Sequence, residues 1–396
     1  MVQARRTVIR VGFVFDVVDA GWLGGVNYRR NLLSALYECP DRRIAAVLLA
    51  GMRTPDTLLQ GFPSVEVIRL RILDRGSLAW LIRKLVYRSI GRDWLLERAL
   101  RRKRIDVLSH SEPLGPRATI PCIGWIADFQ YLRLPEFFTD DARRMHEAFT
   151  ARVLDGCARI VLSSKAAQED LCQVAPDALA RSRILHFVSG PPQGMQLPDA
   201  ATIASTYGVR EPYVLLPNQF WAHKNHGVVL AALEVLVGRG SRALVLATGN
   251  PRDYRQPGHF ATLMEEAKRR GVENDFRVLG VVPYPDLMGL MRDAAAVINP
   301  SFFEGWSTTV EEAKSMGKLV LLSDIPVHRE QAPGRARYFN PRDPEDVADA
   351  IEEALRQFDA VQERDRYAGA QRMAPERRRA FARDYQDLLL EAVARR

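Results

Sequence analysis

The sequence predicts a two-domain α/β protein in which each domain is a doubly wound parallel sheet. Three observations carry this. Short apolar, β-branched runs alternate with helical stretches along the whole chain, which is the rhythm of parallel strands joined by crossover helices. At 396 residues the chain is too long for one ordinary core. Between Ser189 and Pro212, from SGPPQG to GVREP, the periodicity lapses, and the alternation then restarts. The expected division is residues 1–195, residues 205–374 and a terminal helix at 375–396 that returns to the first domain, with the two domains facing each other across a cleft.

The first half opens with a buried strand, Val8 to Val17, a loop from Asp19 to Asn27 holding Gly21, Gly24 and Gly25, and a helix from Val26 to Tyr37. A strand, a glycine-rich turn and a helix let backbone approach a ligand closely. The spacing is not GxGxxG, and a tight connection explains the glycines equally well. Strands follow at Ile44–Leu49, Val65–Leu70, Val107–His110, Pro121–Ala127, Arg159–Ser163 and Arg183–Val188, with a helix from Lys165. The stretch Cys122–Phe138, CIGWIADFQYLRLPEFF, runs a strand into an aromatic loop. Asp128 falls where that strand ends, the edge at which open α/β sheets bind ligands, and suits a basic or hydroxyl-binding role. Capping the next turn is its plainer use.

From Arg69 to Arg104 twelve basic and three acidic residues are interleaved with Leu78, Trp80, Leu81, Ile82, Leu85, Val86, Tyr87 and Ile90. Such a helix is drawn to an anionic membrane surface. The alternative is an apolar stripe packed on the sheet with solvated arginines. Nucleic acid would attract the charge as well, but no recognition motif accompanies it, and no nucleic-acid partner is expected.

In the second half, the strand Tyr213–Leu216 leads into PNQFWAHKNH, residues 217–226, with Asn218 and Gln219 in its loop and Lys224 opening a helix from about Asn225. His223 and His226 lie three apart without a third ligand, so structural roles are expected and no metal site. The strand Ala243–Thr248 ends in a loop with Gly249; a helix from His259 precedes the strand Phe276–Leu279, and Val281 and Val282 after Gly280 are placed to offer backbone groups to a base. The central stretch is NPSFFEGWSTTVEEAKSMG, Asn299–Gly317, between strands at Ala294–Ile298 and Leu319–Ser323. Thr308 with Glu311 reads as a capping box and Gly317 as a left-handed stop, giving a helix from Thr308 to Met316. The N–H groups of Ser307 to Val310, with the helix dipole, make an anion site fit for a diphosphate. Glu304 and Glu312 stand on either side of it, suited to hydroxyl groups of a sugar or a ribose, or else to a solvated helix face. A strand Arg337–Phe339, a helix to Phe358 and a final helix from Pro375 to Ala394, with Phe381, Tyr385, Leu388, Leu389 and Val393 on one face, close the chain.

The composition is that of a soluble globular protein, with no apolar run long enough to span a membrane. Four scattered cysteines without a CxxC pair fit a reduced, cytosolic setting. Arg5, Arg6 and Arg10 precede an apolar stretch, but Asp16 and Asp19 interrupt it, so it reads as a first strand rather than a signal peptide. The net charge of +8 resides in the first half, with 29 basic and 20 acidic residues up to Met195 against 27 and 28 beyond it.

Together these blocks resemble the retaining glycosyltransferases of family four, the group 1 glycosyltransferases, whose fold is the two-Rossmann-domain GT-B. The carrying motif is the glutamate pair Glu304 and Glu312 in FEGWSTTVEEA; WIADFQYLRLPEFF, PNQFWAHKNH and VHREQ look like a bacterial subgroup. The resemblance implies a nucleotide sugar as donor, no cofactor, and metal-independent, hexosyltransferase-like chemistry; no DxD triplet occurs. It implies that Glu312 takes the ribose hydroxyls, that Lys224 and the amides of Ser307, Thr308 and Thr309 neutralise the diphosphate, and that Glu304 sits by the transferred sugar with Gly305 and Trp306 shaping the pocket. Gly24 and Gly25 would approach the diphosphate and Asp128 the acceptor, a lipid-linked or surface-polysaccharide glycan, in a cytoplasmic protein at the inner face of the membrane. Two positions depart from the family: Gln219 stands where an arginine is common, and Ala127 and Tyr131 where a histidine is common. A catalytically silent binding protein, or a sugar-nucleotide epimerase or phosphorylase of the same fold, are the alternatives.

Overall fold

The structure, a computed structural model, describes residues 8–15, 23–209, 212–253 and 255–394. Gly21 and the start of the predicted glycine loop, residues 19–22, lie outside the described residues. The chain forms two compact units, one of Met1–Phe129, Arg144–Phe187 and Arg377–Arg396, the other of Gln130–Arg143 and Val188–Glu376.

The first unit carries β1 (Ile9–Phe15), α1 (Leu23–Glu38), β2 (Ile44–Ala50), α2 (Asp56–Leu59), β3 (Glu66–Arg69), α3 (Leu78–Ile90), α4 (Trp94–Arg102), β4 (Val107–Ser109) and β5 (Cys122–Ile126). After α5 (Gln130–Arg133) and α6 (Asp140–Gly156) come β6 (Arg159–Leu162), α7 (Lys165–Val174) and β7 (Ser182–Ile184). All pairings are parallel in the order β3-β2-β1-β4-β5-β6-β7. The order reverses between β1 and β4, the position at which doubly wound sheets open a crevice.

The second unit holds α8 (Ala200–Tyr207), β8 (Tyr213–Leu216), α9 (His226–Gly238), β9 (Leu244–Thr248), α10 (His259–Arg269), β10 (Phe276–Gly280), α11 (Tyr284–Asp293) and β11 (Ala296–Asn299). Then follow α12 (Thr308–Ser315), β12 (Val320–Ser323), α13 (Pro326–Gln331), β13 (Ala336–Phe339), α14 (Pro344–Arg356) and α15 (Ala360–Ala394). Its six strands, again parallel, run β10-β9-β8-β11-β12-β13. Successive strand residues feed opposite faces: Val214, Leu216, Val245 and Ile298 pack with α9 and α14, whereas Tyr213, Leu215, Leu246 and Val297 pack with α8, α11 and α12. A sheet covered on both faces explains why its strands read as unbroken apolar runs.

Three expectations need correction. The supposed linker is packed structure of the second unit. Asp199 caps α8 by accepting the Thr202 N–H at 2.7 Å, Gly208 ends that helix at φ +63°, and a Cβ at Gly190 would meet Ser315 Oγ at 2.5 Å. Eight residues are too short to show a helical period. The last helix begins at Ala360, fifteen residues before Pro375, and runs through that proline. Its first turns are charged and are held by polar contacts, Glu363 to Lys318 at 2.6 Å and to Arg335 at 3.0 Å, so they show no apolar stripe. Past Arg377 the helix belongs to the first unit, where Tyr385 is fully buried and its hydroxyl donates to Ser109 Oγ at 2.8 Å. Finally, α1 starts at Leu23, so Gly24 and Gly25 occupy a first helical turn rather than a loop.

Candidate functional site

In the second unit the sheet order reverses between β8 and β11, and the loops leaving these two strands carry most of the predicted site residues. Ser307 is the N-cap of α12: its backbone is extended (φ −82°, ψ 114°) and its Oγ accepts the Val310 N–H at 3.4 Å. Thr308 is therefore the first helical residue and not the cap. Glu311 falls one position too late for a capping box and instead receives Lys314 Nζ at 2.9 Å and Gln331 Nε2 at 3.2 Å. The Ser307 N–H is taken by Gln331 Oε1 at 3.1 Å. Of the four amides expected to bind an anion, those of Thr308 and Thr309 remain as first-turn donors with no acceptor inside the helix. The helix stops as read from the sequence, with Gly317 at φ +67°, where a Cβ would lie 2.6 Å from the Arg366 carbonyl.

Asn299, the last residue of β11, ties the two loops together. Its Oδ1 accepts from Asn218 Nδ2 (3.0 Å) and Ser301 Oγ (2.6 Å), while its Nδ2 reaches Ser307 Oγ (2.8 Å) and Glu304 Oε1 (3.2 Å). Thr309 Oγ1 donates to Asn218 Oδ1 at 3.0 Å. Lys224 ends the tight turn Ala222–Lys224, just ahead of α9 rather than within it, and its Nζ sits 2.7 Å from Glu304 Oε1. Ser301 Oγ donates to the same oxygen at 2.7 Å. Burial is the largest single influence and works to raise the Glu304 pKa, but the Lys224 charge, His328 and the hydrogen bonds from Lys224 and Ser301 together outweigh it and hold the carboxyl below its ordinary 4.5. Phe302 N–H to His223 O (2.9 Å) and Asn225 Nδ2 to Pro300 O (3.1 Å) and Pro341 O (2.8 Å) fix the loops further.

Glu312 lies on the same helix in a different setting. It accepts from the Tyr284 hydroxyl at 3.1 Å and from Ser189 Oγ at 3.3 Å, and no cation is among these partners. Burial pushes its pKa up to about 7 against the pull of those two hydrogen bonds. The two glutamates are thus one firmly ionised carboxylate and one poised near neutrality.

The remaining predicted residues take simpler places. Gly249 has φ +139° and faces the Asn218 carbonyl, which a Cβ would approach to 2.4 Å, so glycine is required there. Val282 is half-buried and packs on the α8, α11 and α12 side of the sheet, Trp306 is buried, and Gly305 is half-buried. The Gln219 carbonyl accepts the Trp221 N–H at 2.8 Å. His223 and His226 are buried, and burial holds both imidazoles below their ordinary pKa, His226 at about 3, stacked on Phe220. Among the described residues no group of three or more His, Cys, Asp or Glu side chains could hold a metal.

Several residues at this edge carry no signal of their role in the sequence. Arg255 lies over the Phe138 and Trp221 rings, at 5.1 and 4.8 Å from their centroids, and its guanidinium meets His223 Nδ1 at 3.0 Å. His328 and Gln331 belong to the VHREQ motif, which by itself points to no role for either. Gln331 clamps the α12 N-terminus, and His328 Nδ1 donates to the Ser323 carbonyl at 3.0 Å, burial lowering its pKa to about 4. A polar Asn or Ser at the carboxyl end of an apolar strand is the available signal for Asn299 and Ser301.

In the first unit Gly24 and Gly25 open α1, and Asp128 follows β5 as a half-buried side chain. The switch point there holds a histidine that the sequence around Ala127 and Tyr131 does not reveal. His110, at φ +54° after β4, is buried between the Tyr28 hydroxyl (2.7 Å from Nε2) and Ser109 Oγ (2.8 Å from Nδ1). Burial lowers its pKa to about 3, so the imidazole is neutral.

Residues 205–372 match the model of the family "Glycosyl transferases group 1". The serotype-specific mannosyltransferase WbdA of Escherichia coli is 25% identical over 245 residues, 58% of this chain and 29% of the relative, so the chain spans less than a third of that protein. A glycosyltransferase of Rickettsia africae superposes with a TM-score of 0.68 at 14% identity, covering 97% of this chain and 98% of the other. Anabaena HepE, solved in complex with UDP and glucose, gives 0.68 at 17% identity, covering 97% and 100%. The second unit is related to the group 1 glycosyltransferases, and the chain has the two-Rossmann-domain GT-B fold that its sequence predicts.

Proposed function

We propose that the protein is a retaining, metal-independent glycosyltransferase that moves a sugar from a nucleoside diphosphate sugar to a hydroxyl acceptor. The observation that carries the reading is the Lys224–Glu304–Asn299–Ser307 cluster beside the amides of Thr308 and Thr309, at the switch point of the sheet that matches the family. A cation next to a helix N-terminus is suited to the charge that develops on a departing diphosphate, and prepositioned donors of this kind commonly supply most of the rate enhancement in group transfer.

In this reading Lys224 and the α12 amides hold the diphosphate, Glu304 and the pocket walls Gly305 and Trp306 meet the transferred sugar, and Glu312 accepts from the ribose hydroxyls. Asn218, Gln219, Gly249 and the backbone at Val282 line the nucleotide. Gly24, Gly25 and Asp128 serve the first unit's share of the chemistry, Asp128 towards the acceptor. Lys224 is paired with Glu304, so the diphosphate must share or take over that cation. The cytoplasmic side of the membrane is the preferred setting, and a lipid-linked or surface-polysaccharide glycan the preferred acceptor, a choice in keeping with WbdA being a serotype-specific mannosyltransferase and the fold neighbour WaaG a glycosyltransferase involved in lipopolysaccharide biosynthesis.

A panel of nucleotide sugars screened by thermal shift, followed by product analysis with labelled donor, tests the reading. Stabilisation by one nucleoside diphosphate sugar and EDTA-resistant transfer with retained anomeric configuration are expected. Loss of activity in EDTA would end the metal-free assignment. Tight binding without turnover on any glycan or lipid-linked acceptor would favour the silent binding protein, for which Gln219, uncharged where the family carries a cation, is the specific observation.

A further inference from the structure

Helix α3 presents its aliphatic residues to solvent. None of its thirteen residues is buried, and Leu78, Leu81, Ile82 and Leu85 are 73, 46, 46 and 62% exposed. Spacings of three and four put these side chains on one face of the helix. The opposite face is anchored: Arg83 pairs with Asp93 at 2.6 Å and donates to the Ile72 carbonyl at 3.2 Å, with both side chains of the pair largely buried. This sets the roll of the helix with its aliphatic stripe outward.

The exposed charge of the segment that carries the stripe, residues 69–104, is one-sided. All three acidic residues between Arg69 and Arg104 are buried and engaged from within: Asp74 accepts the Arg53 N–H at 2.9 Å, Asp93 holds Arg83, and Glu97 holds Arg92 at 2.6 Å. Exposed basic side chains in the same segment include Arg71, Arg88, Arg98, Arg102, Lys103 and Arg104.

We propose that α3 is a membrane-docking helix that lies in the plane of an anionic phospholipid surface, its Leu78–Leu85 stripe inserted at the headgroup boundary and the cations of its segment drawn to the lipid charges. An exposed aliphatic stripe in a segment whose exposed charges are all basic matches that partner in both of its layers. A twofold contact with a second copy would set the same cations against each other. Single-stranded nucleic acid is favoured by several outward rings on which successive bases stack; on α3 Trp80 and Tyr87 are half-buried and flank Lys84, whose Nζ lies 5.8 and 5.9 Å from their centroids, and the exposed ring of the segment, Trp94 on α4, carries the Arg98 guanidinium 5.4 Å from its centroid. The proposal stands on the first unit alone and goes beyond the donor reading.

The test is co-sedimentation of the full chain with vesicles of phosphatidylcholine alone or mixed with phosphatidylglycerol, at low and high salt. Binding to the anionic vesicles about tenfold or more above neutral ones is expected, weakening with salt. Leu81→Asp with Leu85→Asp should lose that binding by about tenfold while the unfolding temperature and the response to nucleotide sugars stay unchanged, because neither side chain is buried. Arg88→Glu should lose the preference for anionic over neutral vesicles. Equal vesicle binding by the double variant overturns the proposal. So does a wild-type dimer that the double variant dissolves, or an affinity for single-stranded nucleic acid that the aspartates abolish while vesicle binding is absent.

Discussion

Lys224 Nζ lies 2.7 Å from Glu304 Oε1, joining the turn after β8 to the loop after β11 by an ion pair whose side chains are only 15 and 8% exposed. Replacing the cation removes the largest of the influences that offset the burial of Glu304, leaving Ser301 and Asn299 as its hydrogen-bond partners. Lys224→Ala is expected to lower transfer by about two orders of magnitude and to cost roughly 3 kcal/mol in the absence of nucleotide, as when one member of a buried pair is deleted. Because the Glu304 pKa is held below 4.5, the stability it contributes is present above that pH and is lost as the pH falls through its lowered value. The variant should therefore lose less stability on acidification than the wild type. Near-normal transfer by Lys224→Ala would sink the assignment.

Glu312 titrates in the opposite sense. A carboxyl raised from 4.5 to about 7 contributes stability that is complete below pH 4.5 and is lost as the pH rises to 7 and beyond. The nucleotide-free protein should thus gain stability from this group between pH 8 and pH 5, and Glu312→Gln should remove that slope. If the ionised carboxylate accepts from two ribose hydroxyls, nucleoside diphosphate affinity should rise with pH through 7, with proton release on binding. Titration calorimetry in buffers of different ionisation enthalpy measures both, and a pH-independent affinity with no proton release would remove Glu312 from the ribose.

The central strands of the second sheet were readable because that sheet is covered on both faces, so they show as bare apolar runs; Tyr213–Leu216 appears in the structure as it does in the sequence. What escaped reading was held by polar or non-local contacts. The α8 helix is too short for a period, and the first turns of α15 are fixed by Glu363 rather than by an apolar face. The aliphatic stripe of α3 was visible, but its direction was not: that depends on Arg83 reaching Asp93, ten residues away. At the site, the residue types at the loops were legible and their partners were not. Lys224 and Glu304 are eighty residues apart, and nothing in either loop says that the two charges meet.

The cap of α12 separates two adjacent hydroxyls. Ser307 Oγ accepts the Val310 N–H and also receives Asn299 Nδ2 at 2.8 Å, whereas Thr308 is the first residue of the helix. Ser307→Ala should cost about 1–2 kcal/mol through the lost cap, and Thr308→Ala no more than about 0.5 kcal/mol. Urea denaturation of both variants measures the difference. Equal losses would return the cap to Thr308.

Lys318 and Glu363, 2.6 Å apart and 1 and 6% exposed, fasten α15 to the second unit and should respond unequally to mutation. Without Lys318, Glu363 keeps Arg335 at 3.0 Å and Arg366 at 2.6 Å. Without Glu363, the buried ammonium keeps the Arg292 carbonyl at 3.2 Å, which carries no full charge. Glu363→Leu should therefore cost about 3–5 kcal/mol, and Lys318→Met clearly less. Lys318→Met in the Glu363→Leu background removes the stranded charge and should restore part of the loss, so the double variant is expected to be more stable than Glu363→Leu alone. Urea midpoints of the three variants supply the comparison. A double variant less stable than either single would mean that the side chains act through packing and not through charge.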